Sequence, residues 1–184
     1  MRIIVAITGA SGIQYGVRLL EILKDLELET ELIITKNGQD LMNIETQYSL
    51  NYVNSLARRV YEETDLSAPI ASGSHGSDGM VIIPCSVKTL GSIANGVASN
   101  LVTRAADVCL KERRKLILVI RETPLSGVHL SNMLKMYQFG AVIVPASPGF
   151  YTRPTTIDAL VDALVARVLD LLQVDHSISH RWGD

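Results

Sequence analysis

The chain has 184 residues, with 17 Lys and Arg against 19 Asp and Glu, 47% hydrophobic and 20% charged residues, and a mean hydropathy of +0.23. That length predicts a single domain over residues 1–184 with a core of its own. The near-balanced charge gives no reason to expect a nucleic-acid partner, and no apolar run approaches the roughly 20 residues of a membrane span.

Two cysteines, Cys85 and Cys109, supply neither a disulfide framework nor metal-ligand spacing, so a reduced cytoplasmic setting and no metal are expected. The surplus of apolar residues points to subunit interfaces. In chain order, Ile3–Ile7 reads as a buried strand, too short for a signal-peptide core. It runs through the small-residue turn Thr8–Gly12 into a helix over 12–25, whose stripe is Ile13, Val17, Leu20 and Leu23. A second strand is expected over 29–35 and a helix over 37–46. The stretch 47–78 is the least regular, with a possible helix at Val53–Arg59 and a Ser/Gly/Pro-rich loop from Pro69 to Gly79.

Met80–Pro84 is a third apolar strand, followed by a second small-residue turn, Cys85–Thr89, that opens a helix through Ala94. A helix over 99–114 carries Arg104, Asp107, Lys111 and Arg114 along one seam, where Lys111 also reads as a solvated residue laddered with Asp107. Strand four is Leu116–Ile120, ending in Arg121 and Glu122. A helix over 127–138, a strand at Ala141–Val144, the loop PASPGFYTRP and a last helix over 156–173, capped by Thr155 or Thr156, complete the series.

Apolar strands alternating with helices predict an α/β fold: a three-layer, Rossmann-like parallel sheet with helices on both faces. Ligands of such sheets bind beyond the strand C-termini. Those ends hold Gly9–Ser11, Thr35, Cys85–Thr89, Arg121–Glu122 and Pro145–Arg153.

A strand–TGASG–helix unit favours a phosphate cradle, because the first N–H groups of a helix lack intrahelical partners and the helix dipole makes that end positive. The same turn also serves as an ordinary βα connection. Ser86 and Thr89 add hydroxyls at the second turn. A dinucleotide dehydrogenase fits poorly. Strand two ends in Thr35–Lys36 without an acid for a ribose 2′-OH, although Lys36 could meet a 2′-phosphate, and no tyrosine is followed four residues later by lysine.

Cys85 sits where a thiol pKa could fall, but no histidine is near in sequence, and a small buried residue is the better reading. Arg121–Glu122 reads either as an anion-binding and proton-transfer pair or as a structural ion pair. Arg167 also reads as a snorkelling residue and Trp182 as a packing anchor.

Taken together, MRIIVAITGASGIQYGVRLL, Ile44–Glu45–Thr46, IIPCSVKTLGSIANG, NLVTRAADVCLKERRKLILVIRETPL and PASPGFYTRP with RWG resemble the UbiX family of flavin prenyltransferases over nearly the whole chain. These were once regarded as phenylacrylic or polyprenyl-hydroxybenzoate decarboxylase subunits. Residues 47–78 resemble the family least.

The resemblance implies an enzyme that joins a dimethylallyl group from dimethylallyl phosphate to N5 and C6 of reduced FMN, uses no metal, and supplies the product to a UbiD-type decarboxylase. It also implies that the parallel sheet is of the flavoprotein type and that the subunits form a dodecamer with sites at its interfaces. Carried onto matching positions, FMN contacts Gly9, Ala10, Ser11, Thr35, Ser86, Val87, Lys88, Thr89 and Arg121. The prenyl phosphate meets Lys111, Arg121, Tyr151 and Arg167, and Ser11, Glu45, Lys111 and Glu122 take part in the chemistry. The family commonly has Ser where this chain has Thr35, so the hydroxyl survives. Tyr151 or Trp182 is expected to cover the pocket. Two other readings are an FMN-dependent decarboxylase of the cysteine-decarboxylase type and a non-catalytic flavin carrier or partner subunit.

Overall fold

The first strand, β1 (Arg2–Ile7), alternates its side chains between two apolar layers: Ile3, Val5 and Ile7 enter one, Ile4 and Ala6 the other. A strand buried on both faces must be apolar throughout, which is why the sequence here carries no polar alternation. The computed structural model describes residues 1–151 and 153–178.

β1 pairs in parallel with β2 (Glu29–Ile34) on one side and with β4 (Gly79–Cys85) on the other. β3 (Arg59–Tyr61) extends the sheet beyond β2, while β5 (Lys115–Ile120) and β6 (Val142–Pro145) extend it beyond β4. The order is β3-β2-β1-β4-β5-β6, all parallel, so the strand order reverses between β1 and β4. That is the switch point at which such sheets open a crevice.

Helices α1 (Ile13–Asp25), α2 (Lys36–Glu45), α3 (Leu50–Ser55) and α7 (Ile157–Leu172) cover the Ile3/Val5/Ile7 face. Helices α4 (Val87–Ala94), α5 (Leu101–Lys111) and α6 (Gly127–Gln138) cover the other. The three-layer expectation therefore holds. α1 lies directly on the sheet at Gly16, where a Cβ would strike the Ile83 carbonyl oxygen and come within 2.8 Å of Ile7 Cγ1.

Several boundaries differ from the sequence reading. β3 has no counterpart in it, because three residues of an edge strand are too short to show alternation. The helix expected at Val53–Arg59 is instead α3, which starts earlier at a Ser49 cap, whose hydroxyl accepts from the Tyr52 N–H. α5 stops at Lys111 rather than 114, and the chain turns there with Arg113 at φ 55°. One 3-10 turn, Pro69–Ala71, stands in the loop read as irregular, and Thr156 rather than Thr155 caps α7.

At the switch point one hydroxyl joins the two central strands. Thr8 Oγ1 donates to the Pro84 carbonyl at 2.8 Å and accepts from the Ser86 N–H at 2.9 Å, while the Thr8 N–H also donates to the Pro84 carbonyl at 3.2 Å. Thr8 is 1% exposed, so water cannot replace these bonds. Thr8→Val keeps the shape but strands the Ser86 N–H. It is expected to lower the unfolding free energy by about 1–3 kcal/mol, read as a fall in urea midpoint at constant m; an unchanged midpoint contradicts this role.

Candidate active site

At the C-terminal edge of the sheet, the turns after β1 and β4 form a cleft of about 370 Å³. Its lining includes Gly9, Ala10, Ser11, Thr35, Ser86, Val87, Lys88, Thr89, Arg121 and Glu122, all expected at this edge from the sequence. Gly9 packs tightly against α2, since a Cβ on it would lie 2.5 Å from Asn37 Cβ. Gly12 sits at φ +101°, a left-handed conformation that favours glycine.

The helix starts at this edge differ in what occupies them. α1 has no side-chain cap of its own at Gly12. The Gly12 and Ile13 N–H groups instead donate to Glu45 Oε2, at 2.8 and 3.2 Å, from the last residue of α2. Burial alone would raise the Glu45 carboxyl. The Ser11 side chain, the Gly12 and Ile13 N–H groups and the charge of Arg121 outweigh it and hold the group below its ordinary 4.5. The expectation of a ligand phosphate at this turn is thereby narrowed: the donors of the first α1 turn serve a carboxylate of the protein itself.

α2 begins at Thr35, whose hydroxyl accepts from the Gly38 N–H at 3.1 Å, and its Lys36 N–H donates to Glu63 Oε1 at 2.6 Å. α4 begins at Ser86, whose Oγ accepts from the Thr89 N–H at 3.2 Å. Among the described residues, the Val87 and Lys88 N–H groups have no acceptor. An anion therefore finds unspent donors at α4.

Arg121 and Glu122 form no ion pair with each other among the described residues, so the structural-pair reading is set aside. The charge of Arg121 acts on Glu45 and on Tyr15, whose phenol burial raises against that opposing pull. Glu122 Oε1 accepts from the Thr123 N–H at 2.9 Å, and its Oε2 has no partner among the described residues. Cys85 is fully buried, with its thiol pushed up to about 12 by burial, which makes it a packing residue rather than a nucleophile.

Three expected residues are not brought to the cleft within one chain. Lys111 ends α5 at the opposite edge of the sheet, because α5 starts at the cleft with Asn100 and runs back toward the beginning of β5. Its ammonium pairs with Glu112 Oε1 at 2.6 Å, which corrects the expected ladder with Asp107; Asp107 pairs with Arg104 instead. Arg167 lies on the outer side of α7, 65% exposed and 3.5 Å from Asp170. Tyr151 is exposed, with its ring over Gly149. Trp182 lies outside the described residues.

The cleft also contains residues that sequence reasoning missed: Asn37, Leu41, Glu63, Ser99, Asn100 and Thr103. Asn100 and Thr103 carry a legible signal, the capping box of α5, in which each side chain bonds the other's backbone. Among the described residues no group of three or more His, Cys, Asp or Glu could hold a metal ion, and no helix is long and apolar enough to cross a membrane.

The family profile Flavoprotein matches residues 1–169. The flavin prenyltransferase UbiX of Methanocaldococcus jannaschii is 46% identical over 183 residues, covering 100% of this chain and 99% of that protein. A crystal structure of AnUbiX (PadA1) in complex with FMN and dimethylallyl pyrophosphate superposes with a TM-score of 0.98 at 45% identity, covering 100% of this chain and 97% of that one. A dodecameric FMN-dependent UbiX-like decarboxylase from Escherichia coli O157:H7 gives the same TM-score at 46% identity, with 100% of both chains covered.

The Glu45 bonds to α1 set a pH dependence. Its folded carboxyl is lowered, so the stabilisation is complete above 4.5 and is lost as the pH falls through the lower folded value. Glu45→Gln is expected to cost about 0.5–1 kcal/mol near pH 7, the worth of a charge at a helix start. That difference should shrink as urea unfolding is repeated at successively lower pH below 4.5. A difference that stays constant with pH excludes the role.

Proposed function

Because the chain belongs to the UbiX family of flavin prenyltransferases, we propose that it transfers a dimethylallyl group from dimethylallyl phosphate to reduced FMN. The observation that carries this reading is the cleft at the switch point, where unspent α4 donors, a cation at Arg121 and an open carboxylate oxygen on Glu122 stand together.

The residues present fit a flavin mononucleotide. The Val87 and Lys88 N–H groups, with the Ser86 and Thr89 hydroxyls, seat its single phosphate, and Thr35 adds a hydroxyl beside them. Gly9 lies close against α2 at Asn37, leaving the cleft open to a planar ring. Reduced FMN supplies the two nucleophilic positions, N5 and C6, that receive the five-carbon group.

The protein's part is to bind, orient and manage charge. Departure of an allylic phosphate builds negative charge on the leaving group, which Arg121 stabilises. Glu45, held anionic by α1 and Arg121, fixes the Ser11 side chain and carries no proton to give at neutral pH. Glu122 Oε2 is the open acceptor for the proton released when the new ring closes. Lys111, Tyr151 and Arg167 complete the phosphate clamp from neighbouring subunits, because within its own chain none of them lines the cleft. The exposed apolar side chains Val128, Leu134, Tyr137, Phe139 and Ile157 support such an assembly. A dodecamer and delivery of the product to a UbiD-type decarboxylase complete the proposal.

The cysteine-decarboxylase reading finds no support in the described histidines. His75 bonds Glu31, His129 belongs to the α6 cap and His176 lies against Asp170, all away from the first glycine turn. His180 lies outside the described residues.

Anaerobic incubation with reduced FMN and dimethylallyl phosphate should add the mass of one five-carbon unit to the flavin; an unchanged mass refutes the transferase and favours a carrier. Lys111→Ala should keep FMN binding but lose about 10²–10³-fold in transfer, the usual cost of removing one charge-stabilising group. Subunits carrying Lys111→Ala and Glu122→Gln should regain activity when assembled together, since mixed interfaces hold intact sites. Wild-type turnover by Lys111→Ala, or no recovery in the mixture, excludes the shared clamp.

A further inference from the structure

Of the helix starts at the cleft, those of α1 and α2 face carboxylates of the protein, and the second of these carboxylates belongs to no motif of the sequence. Glu63 lies in the segment between β3 and β4 and lines the cleft. Its Oε1 accepts from the Lys36 N–H at 2.6 Å and its Oε2 from Asn100 Nδ2 at 2.9 Å, while its carbonyl accepts from the Leu101 N–H at 2.7 Å. Bonds from α2 and from the α5 cap thus hold the carboxylate in place, so a ligand cannot displace it without stranding the Lys36 N–H and the Asn100 amide.

We propose that Glu63 is a specificity-determining residue that restricts the cleft to flavin mononucleotide and rejects dinucleotides such as FAD. The inference rests on the FMN reading above. A dinucleotide brings a second phosphate, which needs donors next to the first. α4 takes one phosphate, and the neighbouring start that would attract the next, α2, has its Lys36 N–H spent on Glu63 and a fixed negative charge in front of it. The leading N–H groups of α1 and α5 are likewise spent, on Glu45 and on the Glu63 carbonyl. The Lys36 side chain at the start of α2 has its ammonium on Asp40 at 2.5 Å. A mononucleotide meets none of this opposition, because it carries no phosphate beyond the one at α4.

Dissociation constants of FMN, FAD and riboflavin for the wild-type protein, Glu63→Gln and Glu63→Ala test the inference by flavin fluorescence. The Gln variant keeps an acceptor for the Lys36 N–H and guards against loss of the fold, which thermal unfolding monitors. The preference of the wild type for FMN over FAD should fall by about tenfold in Glu63→Ala, the scale of one solvent-screened like charge at close range. The fall should come from tighter FAD binding and be smaller in Glu63→Gln, while riboflavin affinity stays within about twofold. An unchanged FMN/FAD ratio in both variants, with FMN still bound by the wild type, overturns the filter and leaves the transferase reading standing. Failure of the wild type to bind FMN overturns both.

Discussion

The Thr8 hydroxyl is the constraint on which the site depends. The paired register of β1 and β4 ends at Ala6 and Ile82, before either strand reaches its turn. Pro84 lacks an N–H, and the register of β4 with β5 slips between Ile82 and Cys85. Beyond that point Thr8 takes over from the ladder, donating to the Pro84 carbonyl and accepting from the Ser86 N–H. Two helices that start on opposite faces of the sheet are thereby held at a set separation, and that separation is the cleft. Gly16 serves the same junction from the other side, letting α1 lie against Ile83 where any side chain would push it away.

Once the helix starts are fixed in place, their occupancy decides what the cleft can hold. A helix start is an anion site only while its N–H groups lack partners. Here Glu45 and Glu63, residues from other elements, take N–H groups of α1 and α2 and set a carboxylate before each, whereas α4 is capped only by the hydroxyl of Ser86. The same arrangement separates the roles of neighbouring charges. The charge of Arg121 is felt at Glu45 and Tyr15, while Glu122, next to it in sequence, bonds the Thr123 N–H instead. Adjacent residues at a strand end point to different sides, so chain adjacency is a poor guide to pairing.

Much of this was legible in the sequence, and the limits have physical causes. The buried parallel strands announce themselves as uninterrupted apolar runs, and the glycine turns mark where helices begin. The convergence of Gly9–Ser11, Thr35, Ser86–Thr89 and Arg121–Glu122 followed from strand ends alone. β3 escaped because three half-exposed residues show no period. Glu63 escaped because a lone acid in an aperiodic segment has no pattern; only the three-dimensional approach of α2 and α5 gives it partners. Glu45 was placed near the site but not given its partner, since the bond from the end of α2 to the start of α1 spans 33 residues. Lys111 marks a different limit. Its helix was found, but helical periodicity gives a face, not an end, and Lys111 sits at the end remote from the cleft.

That remoteness has a consequence for how the chemistry is controlled. A single chain presents two cationic residues, Lys88 and Arg121, in a cleft lined mostly by polar side chains and open to water. Allylic carbon–oxygen cleavage in such a setting would lose the five-carbon group to water. The Lys111 ammonium is meanwhile neutralised by Glu112, whose carboxyl it holds below the ordinary range through their hydrogen bond. If a neighbouring subunit supplies Lys111, the same contact that delivers the cation also covers the cleft with protein. Leaving-group stabilisation and exclusion of water then arise together, and neither is present in the isolated chain.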